Sequence, residues 1–373
     1  MRSQPAADLP TLTALRFFAA LMIFVFHLRE FAPSETLYAL APGMFQGVSF
    51  FFVLSGFVLT HAYAGREIPL AAFYRARFAR IAPLHVVCLL GLLAVVPLPV
   101  ALGQSLDAAA AAAAFALKLS MLDAWVPLRA VQSSWNSVSW SISVEMAFYA
   151  AFPFLSMAMA RRPLSTLAGA VAVSLGVLAA GVVAGLPTFV PDGSAVTLVQ
   201  LGSFFPPARG FEFVLGMATC LVWRRWVVPA RLSDAVWTGV ETAVLAFAAL
   251  WLCVLLPWLV FHTQGAVFVG LRAAGSSWLF AALLCALAGG RGRLGRALSA
   301  PWWVKLGQVS FAFYLVHVIV MRALEWRLGA TGVWAPFALS LGLAFLLHEG
   351  VEIPMRRRLL ARPFSAGQPA RAL

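Results

Sequence analysis

The chain has 373 residues, of which 62% are hydrophobic and only 11% are charged. Soluble domains carry roughly a quarter charged residues, so this composition excludes a water-soluble globule and leaves an integral membrane protein. The formal net charge of +13 does not point to nucleic acid, because the basic residues fall in short clusters between apolar stretches, as topology and anionic lipid demand.

A crossing helix needs about 20 mostly apolar residues. Eleven segments are candidates, near 9–28, 44–64, 81–102, 107–122, 139–160, 164–185, 207–223, 237–260, 266–288, 305–326 and 331–353. The first contains Arg16 and exceeds the apolar run of a secretory leader, so it reads as a helix that stays. Segment 107–122 is short and alanine-rich and carries Asp107 and Lys118. Most of the 27 Lys and Arg residues gather on one side of the membrane only if that segment does not cross. The predicted fold is therefore all-α, a polytopic integral membrane helical bundle of about ten transmembrane helices plus one short non-crossing or re-entrant helix. Both termini are expected in the cytoplasm. The expected division is a cytoplasmic N-terminus over 1–8, a transmembrane domain over 9–355 and a basic cytoplasmic tail over 356–373. Cys88, Cys220, Cys253 and Cys285 each stand alone in apolar sequence, which suits buried small hydrophobes, and no metal site is expected.

Ionisable groups inside hydrocarbon are functional candidates by default. In the first helix Arg16 and His27 are eleven residues apart, which is three turns and about 16 Å of rise, so they share a face at different depths. After the second helix, Arg75, Arg77 and Arg80 stand at the inner boundary; Arg77 and Arg80 face the same way and suit phosphate oxygens, although basic residues there also serve topology. The stretch 135–149 enters the fifth helix with Ser139, Trp140, Ser143, Glu145 and Tyr149. A carboxylate at the depth of Glu145 needs a partner, for which His27 and Arg209 are both candidates. Arg209 and Glu212 either neutralise one another or meet substrate. His317 falls near mid-membrane, and Glu349 and Glu352 lie beside Arg356 to Arg358, where inner-face ion pairing is the simplest account.

In this order the residues resemble the membrane-bound acyltransferase 3 family. The shared elements are Arg16-x10-His27, the FFVLSGF run at 51–57, Arg77-x-x-Arg80, the WSISVEMAFY block at 140–149, the element from Arg209, the run from Gly307 through Ser310 and Tyr314 to His317, and Glu352-Ile353-Pro354. The resemblance covers about residues 12 to 358 and is closest to stand-alone bacterial O-acetyltransferases of exopolysaccharide, without the fused SGNH-type hydrolase domain of other members. It implies an acyl-CoA donor, most commonly acetyl-CoA, and a hydroxyl acceptor on a sugar, most simply a lipid-linked exopolysaccharide repeat unit. It further implies a multi-pass protein of the bacterial inner membrane, with lipids, acyl-CoA and a saccharide as partners and no nucleic acid. Under it, Arg16, Arg75, Arg77 and Arg80 hold CoA. His27 is then general base or transient acyl carrier with Glu145 orienting it, and Ser139, Trp140, Ser143, Tyr149, Arg209, Glu212 and His317 line the acceptor. The competing reading is a transporter or flippase that uses the same charges as a proton and substrate path.

Overall fold

The computed structural model describes residues 8–63, 65–102, 106–191, 193–329 and 332–361, and the regular structure within them is entirely helical. In chain order the principal helices are α1 (Pro10–Phe31), α2 (Glu35–Tyr63), α3 (Leu70–Val95), the short α4 (Ala108–Leu119), α5 (Ser137–Arg161), α6 (Pro163–Val183), α7 (Pro206–Val222), α8 (Asp234–Phe261), α9 (Gly265–Leu287), α10 (Pro301–Leu328) and α11 (Trp334–Ala361). Nine of the described helices are long and apolar enough to cross a membrane. At 17 residues α7 is shorter and carries Arg209 and Glu212; a π turn over Trp223–Val227 continues it. The chain is a multi-pass membrane protein.

Three boundaries differ from the sequence expectation. Helix α2 starts at Glu35, where the Ser34 side chain caps it by accepting from the Leu37 amide. Helix α3 starts at Leu70, because the residues from Leu70 to Arg80 are mostly strong helix formers. Arg75, Arg77 and Arg80 therefore stand on a helix rather than in a loop before it. Helix α11 continues to Ala361, so Arg356 to Arg358 belong to its last turns. The rest of the expected tail, 362–373, and residues 1–7 lie outside the described residues.

Helix α4 is 12 residues long, too short to span the hydrocarbon. It nevertheless reaches back along α3, where His85 Nε2 lies 2.8 Å from the Lys118 carbonyl. The Lys118 ammonium is fully buried and donates to Asp123 Oδ2 at 2.6 Å and to the Gln132 carbonyl at 3.0 Å. A buried cation requires such pairing, and here it ties the end of α4 to the turns that follow it.

The bundle centre is α1, α2, α7 and α10. Helix α1 packs on α10 and α2, and the second half of α2 packs on α7. Glycines make these approaches possible. A Cβ on Gly56 would lie 1.9 Å from the Phe213 carbonyl oxygen, one on Gly216 1.9 Å from that of Val53, and one on Gly307 1.8 Å from that of Thr13. The glycines of the FFVLSGF run and of the Gly307 run are thus contact points between backbones, as small residues are in membrane helices. Helices α6 and α8 are mostly exposed along their apolar lengths, as a lipid-facing rim should be.

Candidate active site

Two cavities are stacked along α1, α2, α5 and α10. The first, of about 380 Å³, is lined by Arg16, Ser55, Arg77, Arg80, Glu145 and Tyr149 among others. The second, of about 320 Å³, is lined by His27, Arg29, Arg129, Trp140, Arg272 and Arg322 among others. Val48 and Tyr314 line both, so the wall between them is thin. Along α1 and α10 the chain passes from the first cavity to the second, and along α2 and α5 it runs the other way. Helix α3 begins beside the first cavity with Arg77 and Arg80, while α5 begins beside the second with Ser137 and Trp140. The intervening α4 therefore makes no net crossing.

The expected pairing of Glu145 with His27 does not occur. Glu145 Oε1 accepts from Tyr149 Oη at 2.5 Å and from Ser55 Oγ at 3.2 Å, all three on the first cavity. Tyr149 is one helical turn from Glu145 and reaches it before anything on α1 can. His27 sits at the second cavity and meets His317 instead. Its Nδ1 lies 2.9 Å from the Ile23 carbonyl oxygen and 3.1 Å from His317 Nε2. His317 Nδ1 in turn lies 2.7 Å from the Tyr314 carbonyl oxygen and 3.3 Å from that of Phe313.

These carbonyls fix the tautomers. A carbonyl accepts only, so the His317 proton belongs on Nδ1, which leaves its Nε2 as an acceptor. The His27 proton then belongs on Nδ1, shared between Ile23 and His317. His27 Nε2 is left with a free lone pair, the state a general base requires. The side chain beside His27 Nδ1 is thus a buried second imidazole and not the motif glutamate.

Several residues expected to contact substrate line neither cavity. Arg209 and Glu212 are fully buried and pair at 2.5 Å. Arg209 also donates to the Ser203 carbonyl at 2.7 Å and to Ser49 Oγ at 3.0 Å, and Glu212 accepts from Ser277 Oγ at 2.9 Å. With these partners they tie α7 to α2 and α9 and line neither cavity. Ser139 donates to the Asn136 carbonyl at 2.8 Å, and Ser143 accepts from the Ala124 amide at 3.2 Å; both are buried and line neither cavity. Arg75 also lies off both linings, whereas Trp140 does line the second cavity, with its ring 4.5 Å from that of Phe204. His317 is fully buried and reaches the second cavity only through His27. In α11, His348 Nδ1 lies 2.8 Å from Glu352 Oε2 and Glu349 accepts from Lys305 of α10. Among the described residues no group of three or more His, Cys, Asp or Glu side chains is placed to hold a metal ion.

Sequence reasoning assigned no site role to Ser55 and Ser141, which line the first cavity, or to Tyr314, which lines both. Tyr314 Oη lies 2.8 Å from Ser141 Oγ and donates to the Val138 carbonyl at 3.0 Å. It also missed the arginines of the second cavity. Their signal is a departure from the positive-inside pattern, since Arg29, Arg129, Arg272 and Arg322 fall outside every cytoplasmic cluster.

Comparison with known proteins agrees with this architecture. Residues 9–347 match the family model described as an acyltransferase domain. The chain is similar to "Acyltransferase MdmB" of Streptomyces mycarofaciens, 31% identical over 94% of this chain and 92% of that protein. It is also similar to "Putative peptidoglycan O-acetyltransferase YrhL" of Bacillus subtilis (strain 168), 28% identical over 95% of this chain and 56% of that longer protein. No solved structure matches the chain.

Proposed function

This chain belongs to the acyltransferase domain family and is a membrane acyltransferase, and we propose that it moves an acetyl group from acetyl-CoA, held in the first cavity, to a sugar hydroxyl held in the second. The observation that carries this reading is the stacking itself. An arginine-lined cavity and a cavity exposing an unprotonated imidazole nitrogen meet at Val48 and Tyr314.

The first cavity suits the donor. Arg16, Arg77 and Arg80 line it, and Arg77 Nε is buried without a hydrogen-bond partner. An unspent buried donor is costly, and a phosphate oxygen of the nucleotide would satisfy it by a charge-assisted bond. Bound there, acetyl-CoA supplies an electrophilic acyl carbon and a thiolate leaving group.

His27 Nε2 takes the proton of the acceptor hydroxyl as the oxygen bonds to the acyl carbon. The carbon–sulfur bond breaks, and the proton passes from His27 to the departing thiolate, which restores the neutral imidazole. Throughout, His27 Nδ1–H stays on the Ile23 carbonyl and His317 Nε2, so the ring does not turn. The basic clusters, read by the positive-inside rule, support a first cavity on the cytoplasmic side, where CoA is available, and the bacterial inner membrane is the expected setting. A lipid-linked exopolysaccharide repeat unit is the expected acceptor. Peptidoglycan is the substrate named for the Bacillus relative.

The test is calorimetric binding of acetyl-CoA to the purified, detergent-solubilised protein, with CoA release measured in parallel. The reading expects binding by wild type, loss of binding in Arg77→Ala/Arg80→Ala, and binding without CoA release in His27→Ala. Absence of both binding and turnover across several acyl-CoAs would overturn it.

A further inference from the structure

The second cavity carries a charge imbalance that proton transfer at His27 does not require. Four guanidinium groups line it, those of Arg29, Arg129, Arg272 and Arg322, against the single carboxylate of Glu30. Glu30 is half exposed and already paired with Arg29 at 3.2 Å. Among the described residues Arg129, Arg272 and Arg322 form no ion pair.

These three arginines are nonetheless held in place. Arg129 Nη1 donates to the Pro191 carbonyl at 3.0 Å, and its guanidinium lies 5.1 Å from the Phe189 ring centre. Arg272 Nη1 donates to Ser203 Oγ at 2.9 Å, with its guanidinium 4.5 Å from the Phe45 ring centre. Arg322 Nη1 donates to the Trp135 carbonyl at 2.6 Å. Each guanidinium has five N–H donors, so these anchors fix its position and leave donors unspent. The three come from separate parts of the chain, the turn before α5, α9 and α10, and converge on one cavity. Gathered cations in a poorly screened site repel one another, and an anionic group among them turns that repulsion into binding.

We propose that the second cavity takes an anionic saccharide, its negative group held by Arg129, Arg272 and Arg322 beside His27. This rests on the assignment of the second cavity to the acceptor. The negative group has two sources, a carboxylate on the sugar or the diphosphate that joins a saccharide to its lipid carrier, and both present oxygens that a guanidinium fork fits.

The experiment measures binding to the purified protein of three probes: a short glucan, the same glucan with one glucuronate in place of glucose, and the uncharged glucan on a prenyl diphosphate. Acetyl-CoA binding and CoA release are recorded on the same samples. At least one charged probe is expected to bind tenfold or more tighter than the neutral glucan, and the tighter of the two identifies the source. Arg272→Gln and Arg322→Gln should each remove most of that preference, while Arg322→Lys keeps part of it; unchanged acetyl-CoA binding shows that each variant is folded. Equal binding of charged and neutral probes would overturn the proposal. So would variants that lose acetyl-CoA binding and keep the probe preference, since the arginines would then serve the donor. Loss of CoA release with intact probe preference would instead count against the acyl-transfer reading alone.

Discussion

His27 Nδ1 and His317 Nε2 lie 3.1 Å apart, joining two helices whose residues are 290 positions apart in the chain. The contact makes a fully buried imidazole on α10 the neighbour of the half-buried one on α1 that lines the second cavity, and the carbonyls of Ile23, Phe313 and Tyr314 fix which nitrogen of each carries the proton.

Replacing His317 tests the orienting role. A glutamine at this position offers a carbonyl oxygen where Nε2 accepts, and a leucine offers nothing. His317→Leu should lower kcat about 10²-fold or more, within the range a general base contributes. His317→Gln should lose less, with acetyl-CoA binding unchanged in both. Equal loss of kcat in both variants, or a rise in KM alone, would remove His317 from this role.

Glu145→Gln separates the motif expectation from the geometry. Its carboxylate faces Tyr149 and Ser55 at the first cavity. The acidic limb of the pH–rate profile, where the base becomes protonated and activity is lost, should therefore stay in place in Glu145→Gln and move in His317→Gln. A shift in Glu145→Gln as large as that in His317→Gln would reinstate the carboxylate as the partner of His27.

Arg77 and Arg80 should act on donor binding. A hydrogen bond to a charged group contributes about 1.5–3 kcal/mol, so each single alanine variant should weaken acetyl-CoA by roughly tenfold to a hundredfold. The loss should shrink as salt is raised. Dephospho-CoA and the pantetheine thioester, which carry fewer phosphates, should discriminate progressively less between wild type and variants in the same titration.

The backbone contacts at glycine predict where a methyl group is intolerable. Gly307→Ala places its Cβ against the Thr13 carbonyl, whereas Gly91 has open space around the same position. Gly307→Ala should lower the midpoint of thermal unfolding in detergent or abolish a monodisperse preparation. Gly91→Ala should be neutral or stabilising by up to about 1 kcal/mol.

Topology has a direct check. Tyr38 and Ser120 are exposed at the end of the bundle nearer the second cavity, and Glu67 is exposed at the other end. Tyr38→Cys and Ser120→Cys should react with an impermeant maleimide from one face of the membrane, and Glu67→Cys from the opposite face. Labelling of Ser120→Cys together with Glu67→Cys would mean that α4 crosses.

The helices were legible because length and apolarity report directly on a bilayer, and α4 stood apart because its apolar run is short. Arg16, Arg77, Arg80 and Glu145 were recognisable as candidates for a shared reason, a charge in or beside hydrocarbon. Their partners were not. Depth along a helix follows from counting residues, but whether Glu145 meets His27 or Tyr149 depends on the rotation of α5 against α1, which counting does not give. His317 was expected to line the acceptor, and its contact with His27 emerges only when α10 is laid against α1. Arg209 and Glu212 satisfy one another within a single turn, which sequence spacing allowed but did not decide.

The wall formed by Val48 and Tyr314 has a consequence for what must travel. With a nucleotide on one side and a sugar on the other, neither reactant needs a path through the protein, and a pair of side chains replaces most of the thickness of the membrane. Under the proposed assignment the only cargo that passes from one leaflet's side to the other is two carbons and an oxygen. A carrier's work is then done by exchanging a bond across the wall, and the spent CoA stays on the side where it bound.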